Sequence, residues 1–471
     1  MEGQHIARFT KGSLWRHITV MSLTNATGMV MVFLADFVDI FFIAQLGVAE
    51  LAAGVGFAGT VLFFVRSLAV AMGIATSVLV SRYLGMNDRD GAARMATNTP
   101  LLALLIIACV ATVVFIWRST LLGWVGATGT TLEYAANYLA IVIPGTLMMT
   151  LGMCGGQIIR AMGEAKQAMW IPIAAGLVNV ALDPLFIFVF GWGLQGAAWA
   201  TVLSQATMML LTWWIIIFRH RMVTRSSVRE WIDGVRPTLE IAVPSMLTSL
   251  AAPVSTAFVS RMMAQFGDSA IAAFAVVMRL VPVSLAVVFA LSSAVAPIVG
   301  QNAGAGQFDR VRQTLNVAFK FNWLVVAIVT ALLFCLRHIL PELFSLSGDA
   351  AALMVFFCSG MTLLFGFDGM VFFLNATFNN LGRPLYSTLV NVGRVFLGVV
   401  PMVYIGQHFW GANGVLLGFM AECVVVSFIS WFVATRLIGR YQRGELVLGR
   451  QRRRDQRRVV ALWPFTKRWP S

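Results

Sequence analysis

Three oxygen-bearing side chains interrupt a strongly apolar background: Asp39 in ADFVDIFFIAQLG, and Asn179 and Asp183 in GLVNVALDPLFIFVF. An ionisable group inside a lipid-spanning segment is expensive, so its presence there is a functional hypothesis by default. Asn179 and Asp183 are four residues apart and share one helix face. Pro184 follows directly; in a helix its ring clashes with the carbonyl of Val180 and it donates no N–H, which loosens the backbone beside the carboxylate. A buried acid next to a freed carbonyl suits a proton or a cation; the bland alternative is a carboxylate that only ties two helices together. Asp36 lies three residues before Asp39 on nearly the same face. Whether it points into a cavity or outward is not set by a stretch that is apolar all round. Two close carboxylates in a poorly solvated site cannot both ionise cheaply, which makes proton binding available. Equally, Asp39, Asn179 and Asp183 supply hard oxygens that, with backbone carbonyls near Pro184, suit Na⁺. Residue types do not choose between the two ions.

These groups need a lipid-embedded frame. Hydrophobic residues make up 59% of the 471 and charged ones only 11%, with a mean hydropathy of +0.82. Soluble domains carry about 25% charged residues, so this is a polytopic membrane protein. Twelve apolar stretches can be read, at residues 14–42, 52–81, 98–117, 134–159, 169–190, 195–218, 238–262, 270–299, 316–336, 350–378, 385–407 and 411–434. Each is near the ~20 residues that a hydrocarbon core requires. Of the 34 Lys and Arg, 28 fall on the side of the N-terminus and only Arg118, Arg261 and Arg337 on the other, while Arg66, Arg279 and Arg394 fall within apolar stretches. The positive-inside rule then puts both termini in the cytoplasm of an inner or plasma membrane. The net charge of +14 is therefore mostly topological and needs no nucleic acid. The QRRRDQRR run of the tail is suited to anionic lipid headgroups or to plain solvation. The five cysteines lie in apolar stretches without metal-ligand spacing and read as packing.

A shift of 219 residues brings two halves into register. RYLGMNDRDGAARM falls on QNAGAGQFDRVRQT, with Gly85 over Gly304 and Asp90 over Asp309, and Gly163 falls on Gly382. Six stretches per copy is an even number, so the copies run parallel, related by an axis along the membrane normal. The expected fold is all-α, with 12 transmembrane helices in two pseudo-symmetric six-helix bundles. The expected organisation is an N lobe at 1–218, a cytoplasmic linker at 219–237, a C lobe at 238–437 and a basic tail at 438–471. Asn179 and Asp183 fall on Gly398 and Met402, so the polar pair has no counterpart in the second half.

Several segments together resemble the multidrug and toxic compound extrusion (MATE) transporters, in particular their bacterial and archaeal DinF-like branch. They are VDIFFIAQLGVAELAAGVG, SRYLGMNDRDGAAR, NVALDPLFIFVFGWGLQGAAWATVLSQ and above all APIVGQNAGAGQFDRVR. The resemblance covers nearly the whole chain before the tail. It implies a V-shaped secondary antiporter that exports cationic amphipathic drugs or dyes in exchange for H⁺ or Na⁺, with no other cofactor, as a monomer among membrane lipids. It also implies that Asp39, Asn179 and Asp183 form the coupling site. A family aspartate of the tenth helix falls on Asp368, although the Arg-Gly pair that marks it there is Asn379/Asn380 here. A glutamate that one branch carries in the seventh helix falls near Thr248, and the first helix has no proline, offering only Gly28 as a soft point. Glu422 reads as a cavity acid or a tie between helices, and Arg66, Arg279 and Arg394 as partners of acids or caps. A flippase for lipid-linked oligosaccharides or lipids would share the two-bundle plan but would be expected to line its cavity with basic groups. An enzyme is not expected, since no HExxH or GxSxG occurs.

Overall fold

The computed structural model describes residues 7–46, 48–344 and 346–448; the arginine run of the tail lies outside them. Every described element is helical. Eleven helices are long and apolar enough to cross a membrane among the described residues, and the last of these, Pro384–Gln442, runs for 59 residues. At 1.5 Å per residue it far exceeds one membrane thickness. It folds back on itself at Trp410 and Gly411, where Gly411 takes φ 57° and ψ −134°, a conformation open to a residue without Cβ. Just beyond the bend a Cβ on Gly414 would come within 1.8 Å of the Gly406 carbonyl oxygen, so glycine lets the two arms touch backbone to backbone. The helix thus supplies two crossings and the total is the expected twelve.

Spans 1 to 4 are Leu14–Ala44, Ala49–Gly85, Arg89–Ile116 and Gly129–Ala161. Span 5 is Ala165–Pro184, prolonged by a wider turn at Leu185–Val189, and span 6 is Gly193–Trp214, prolonged likewise at Ile215–His220. Spans 7 and 9 are Val228–Ala264 and Phe308–Leu336. Span 8 is broken at Leu285 into Asp268–Ser284 and Ala286–Gly304, and span 10 at Gly360 (φ 149°) into Gly348–Cys358 and a section from Met361 to Asn380. Span 11 starts at Pro384, passes through a wide turn at Arg394–Val399 and ends at the bend, and span 12 runs from there to Gln442.

The linker expected over 219–237 is shorter than that. The chain is helical from Val228 because Ser227 and Glu230 close a capping box: the Glu230 amide donates to Ser227 Oγ, and the Ser227 amide donates to Glu230 Oε2 at 3.0 Å. Span 12 likewise carries helix past residue 438, where the tail was expected to begin.

The internal repeat appears as reciprocal contacts. At the ends of spans 2 and 8, a Cβ on Gly85 would lie 2.0 Å from the Gln301 carbonyl oxygen, and one on Gly304 would lie 2.2 Å from that of Arg82. These four residues form two pairs at the 219-residue shift. Gly163 and Gly382, a third such pair, both take positive φ, 85° and 76°. Around the glycine seam the halves are bolted together at the end rich in Lys and Arg, here the basic end. Arg82 donates to the carbonyls of Asn380 (2.8 Å) and Asn379 (2.5 Å). Gln301 Nε2 donates to the Ala161 carbonyl at 2.7 Å.

A short strap before span 1 completes this closure. Phe9 is 2% exposed in the core of the second half. Its amide donates to Gln301 Oε1 at 2.9 Å, and its carbonyl accepts from Asn302 and Arg310. Arg8 meanwhile pairs with Glu164 of the first half at 2.7 Å. The strap therefore grips both halves at once.

Candidate functional site

Span 1 lies along span 5 because small residues line the seam: a Cβ on Gly28 would come 2.8 Å from the Pro172 ring, and Gly176 is covered by Met31. This brings Asp39 close to both Asn179 and Asp183. Asn179 and Asp183 are buried, Asp183 completely. Asn179 Nδ2, Asp39 Oδ1 and both carboxylate oxygens of Asp183 are buried without a hydrogen-bond partner among the described residues. Buried polar groups are normally satisfied. Two facing carboxylates both accept, so they cannot bond to each other directly, and a shared proton or a cation is suited to join them.

Pro184 does not end span 5. The helix continues through the wide turn, in which the Phe190 amide donates to the Leu185 carbonyl at 2.9 Å. Such turns arise where the regular ladder is interrupted, and they recur at functional sites. Span 6 closes on this stretch: a Cβ on Gly196 would meet the Phe186 backbone at 2.7 Å, and Ser204 donates to the Ala175 carbonyl at 2.8 Å.

Two further residues belong to the constellation. Tyr138 of span 4 is buried, with its hydroxyl in reach of Thr201 on span 6, and it lies close enough to Asp39 and Asp36 to feel their charge. Neither Tyr138 nor Thr201 was picked out from the sequence. The available signal was a tyrosine mid-span, whose hydroxyl must find a polar neighbour in lipid. Asp36 is half-buried and in electrostatic reach of Asp39 and of Arg66 on span 2. Spans 1, 4, 5 and 6 thus converge on one acidic site in the first half.

Asp368 is not part of that site. It stands on span 10 in the wall of a cavity of about 340 Å³ in the second half, with Thr248, Ser255, Asn375 and Arg394. Arg394 reaches Asp368 Oδ1 through its NH1 at 2.6 Å, while its Nε donates to Glu422 Oε1 on span 12. Arg394 is thus the partner of two acids, and Glu422, 1% exposed, is a tie between spans 11 and 12. Thr248, where one branch carries a glutamate, bonds to the Pro244 carbonyl at 2.9 Å. The cysteines are unpaired, and no cluster of His, Cys, Asp or Glu suited to a metal occurs among the described residues.

A family model described as MatE matches residues 26–185 and 244–405. The chain is 30% identical over 425 residues to a protein of Shewanella oneidensis named an FAD transporter, covering 88% of this chain and 93% of that one. It is 21% identical to the multidrug export protein MepA of Staphylococcus haemolyticus, over 93% of this chain and 97% of the relative. Among solved structures, an outward-facing multidrug resistance MATE transporter superposes with a TM-score of 0.87 at 21% identity, covering 94% and 100% of the two chains. A mutant MATE transporter of Vibrio cholerae gives 0.85 at 23% identity, covering 90% and 96%. These structural likenesses speak for the fold. The matching family model, spread over both halves of a twelve-span frame, settles the class: this chain is a multi-pass membrane transporter of the MATE family, not an enzyme.

Proposed function

We propose that the protein is a secondary active antiporter that exports amphipathic cations in exchange for H⁺ or Na⁺, with Asp39, Asn179 and Asp183 as the coupling site and Asp36, Tyr138 and Thr201 around it. The observation that carries this reading is the set of buried, unpartnered oxygens on Asp39 and Asp183. A protein spends stability to keep such groups in lipid, and ion or proton pathways are where they occur. The donor set fits a small hard cation: two carboxylates, an amide and two hydroxyls. A proton shared between Asp39 and Asp183 is the other occupant. Either one neutralises the first half, and a cationic substrate competes for the same negative field. Substrate and ion then exclude one another, which enforces exchange during alternating access.

The basic end is cytoplasmic in this reading, and both termini face the cytoplasm of the inner membrane. The glycine seam and strap then seal the cytoplasmic side. Uptake of ethidium into everted vesicles, driven separately by a Na⁺ gradient and a pH gradient, tests the scheme. One gradient is expected to drive transport, and Asp183→Asn to abolish it; retained coupled uptake in that variant would sink the proposal. The relative named an FAD transporter, at 30% identity, favours a second reading in which the cargo is a flavin dinucleotide. Accumulation of external flavin by expressing cells, against none of ethidium, would select it.

A further inference from the structure

On the outer face of the first half, spans 3 and 6 both flank span 4 and leave a groove between them of about 910 Å³. Pro100 and Leu104 of span 3, Leu151 of span 4 and Leu210, Trp214 and Phe218 of span 6 line it. Its walls are open to the surroundings: Leu210 is 64% and Phe218 68% exposed. The floor is fixed, since Trp213 Nε1 donates to the Leu151 carbonyl at 3.2 Å. At the basic end the connector folds across the foot of the groove. Arg221 turns the chain with φ 50°, Met222 is buried, and the Thr224 amide donates to Thr97 Oγ1 at 3.2 Å, so that Val223 joins the lining. Arg219, Arg221 and Arg225 therefore sit within one or two residues of the lining residues Phe218 and Val223. All three are exposed, and none forms an ion pair among the described residues.

We infer that this groove is a binding site for an anionic phospholipid, its acyl chains lying along Leu104, Leu210 and Trp214 and its phosphate held by the connector arginines. A slot lined almost wholly by apolar side chains, with three exposed arginines in the connector at its foot that form no ion pair among the described residues, matches the two ends of such a lipid. Basic pockets between helices on the basic side of a membrane protein hold anionic headgroups. Arginine suits phosphate because its planar fork donates in pairs. A free phosphate ion would leave the apolar slot unexplained. A neutral lipid would leave the arginines unexplained.

The test uses the full-length protein in detergent, titrated with dioleoyl phosphatidylglycerol or dioleoyl phosphatidylcholine and read by native mass spectrometry. Phosphatidylglycerol is expected to bind at least tenfold more tightly, since each surface contact contributes about fivefold. The triple variant Arg219→Gln, Arg221→Gln, Arg225→Gln should erase that preference. Leu104→Trp, which fills the slot, should weaken both lipids. The same replacement of the tail residues Arg452, Arg453 and Arg454 serves as the control for general charge attraction. Preference lost with the connector arginines and kept without the tail arginines supports the site. Preference kept in the connector variant, or lost only in the tail variant, overturns it. Unchanged melting temperatures without lipid confirm that each variant is folded.

Discussion

Each half of the molecule holds acids in its interior, and Asp39 and Asp183 of the first half are placed differently from Asp368 and Glu422 of the second. In the second half Asp368 and Glu422 share the guanidinium of Arg394. In the first, Asp39 and Asp183 face each other across spans 1 and 5 with unpartnered oxygens. In the second half one covalently tethered cation offsets one of the two acid charges at all times and holds both acids to span 11. The first-half acids make no ion pair among the described residues, which suits a neutralising partner that comes and goes. The contrast supports the proposed placing of ion exchange in the first half of the duplicated frame.

The sharpest way to break this contrast is at the unpartnered acids. Asp39→Asn and Asp183→Asn are each expected to reduce ion-driven uptake to the level of vesicles without the protein, while the melting temperature stays level or rises, because an unsatisfied buried charge is removed. A fall in stability with transport intact would make these acids structural. Arg394→Met should do the reverse. It leaves two buried acids without their cation, at a cost of about 3–5 kcal/mol. Adding Glu422→Gln restores part of that loss, and non-additivity of the pair in thermal unfolding measures their coupling. Asp368→Asn, which leaves Arg394 with Glu422, is expected to cost about 1–3 kcal/mol and to leave the ion dependence of efflux unchanged. A change in which ion drives transport would move coupling into the second half. The smallest effect belongs to Tyr138→Phe: loss of one hydroxyl beside Asp39 should weaken the coupling ion by about fivefold, roughly 1 kcal/mol, read as a shift in the half-saturating ion concentration.

Much of this is legible in the amino-acid sequence. Span number followed from hydropathy, and the 219-residue repeat reappears as the reciprocal contacts of Gly85 with Gln301 and Gly304 with Arg82. The convergence of Asp39 on Asn179 and Asp183 was also expected, because polar groups are so rare in these spans. Tyr138 and Thr201 were missed because a single hydroxyl in an apolar run has no spacing to betray it. The Arg394 triad was invisible in detail for another reason. Its members lie on three different spans, and only helix packing decides which acid meets which base. Asp36 shows the same limit, since its direction depends on helix rotation, which an all-round apolar span does not encode. The shorter linker was readable and overlooked: Ser227 and Glu230 are a capping box in plain sequence.

The strap around Phe9 also constrains the order of events in biogenesis. Residues 7–12 leave the ribosome first, yet Gln301, Asn302 and Arg310, which hold Phe9 and Gly12, follow almost three hundred residues later. During insertion of the first six spans the strap can engage Glu164 and pack near Gly163 and Ala165, but most of the core around Phe9 is still missing. Its docking is therefore a checkpoint of completed assembly, reached only after span 8 has been threaded. A bulky fusion joined immediately ahead of residue 7 burdens that closing step, whereas one joined to the tail does not.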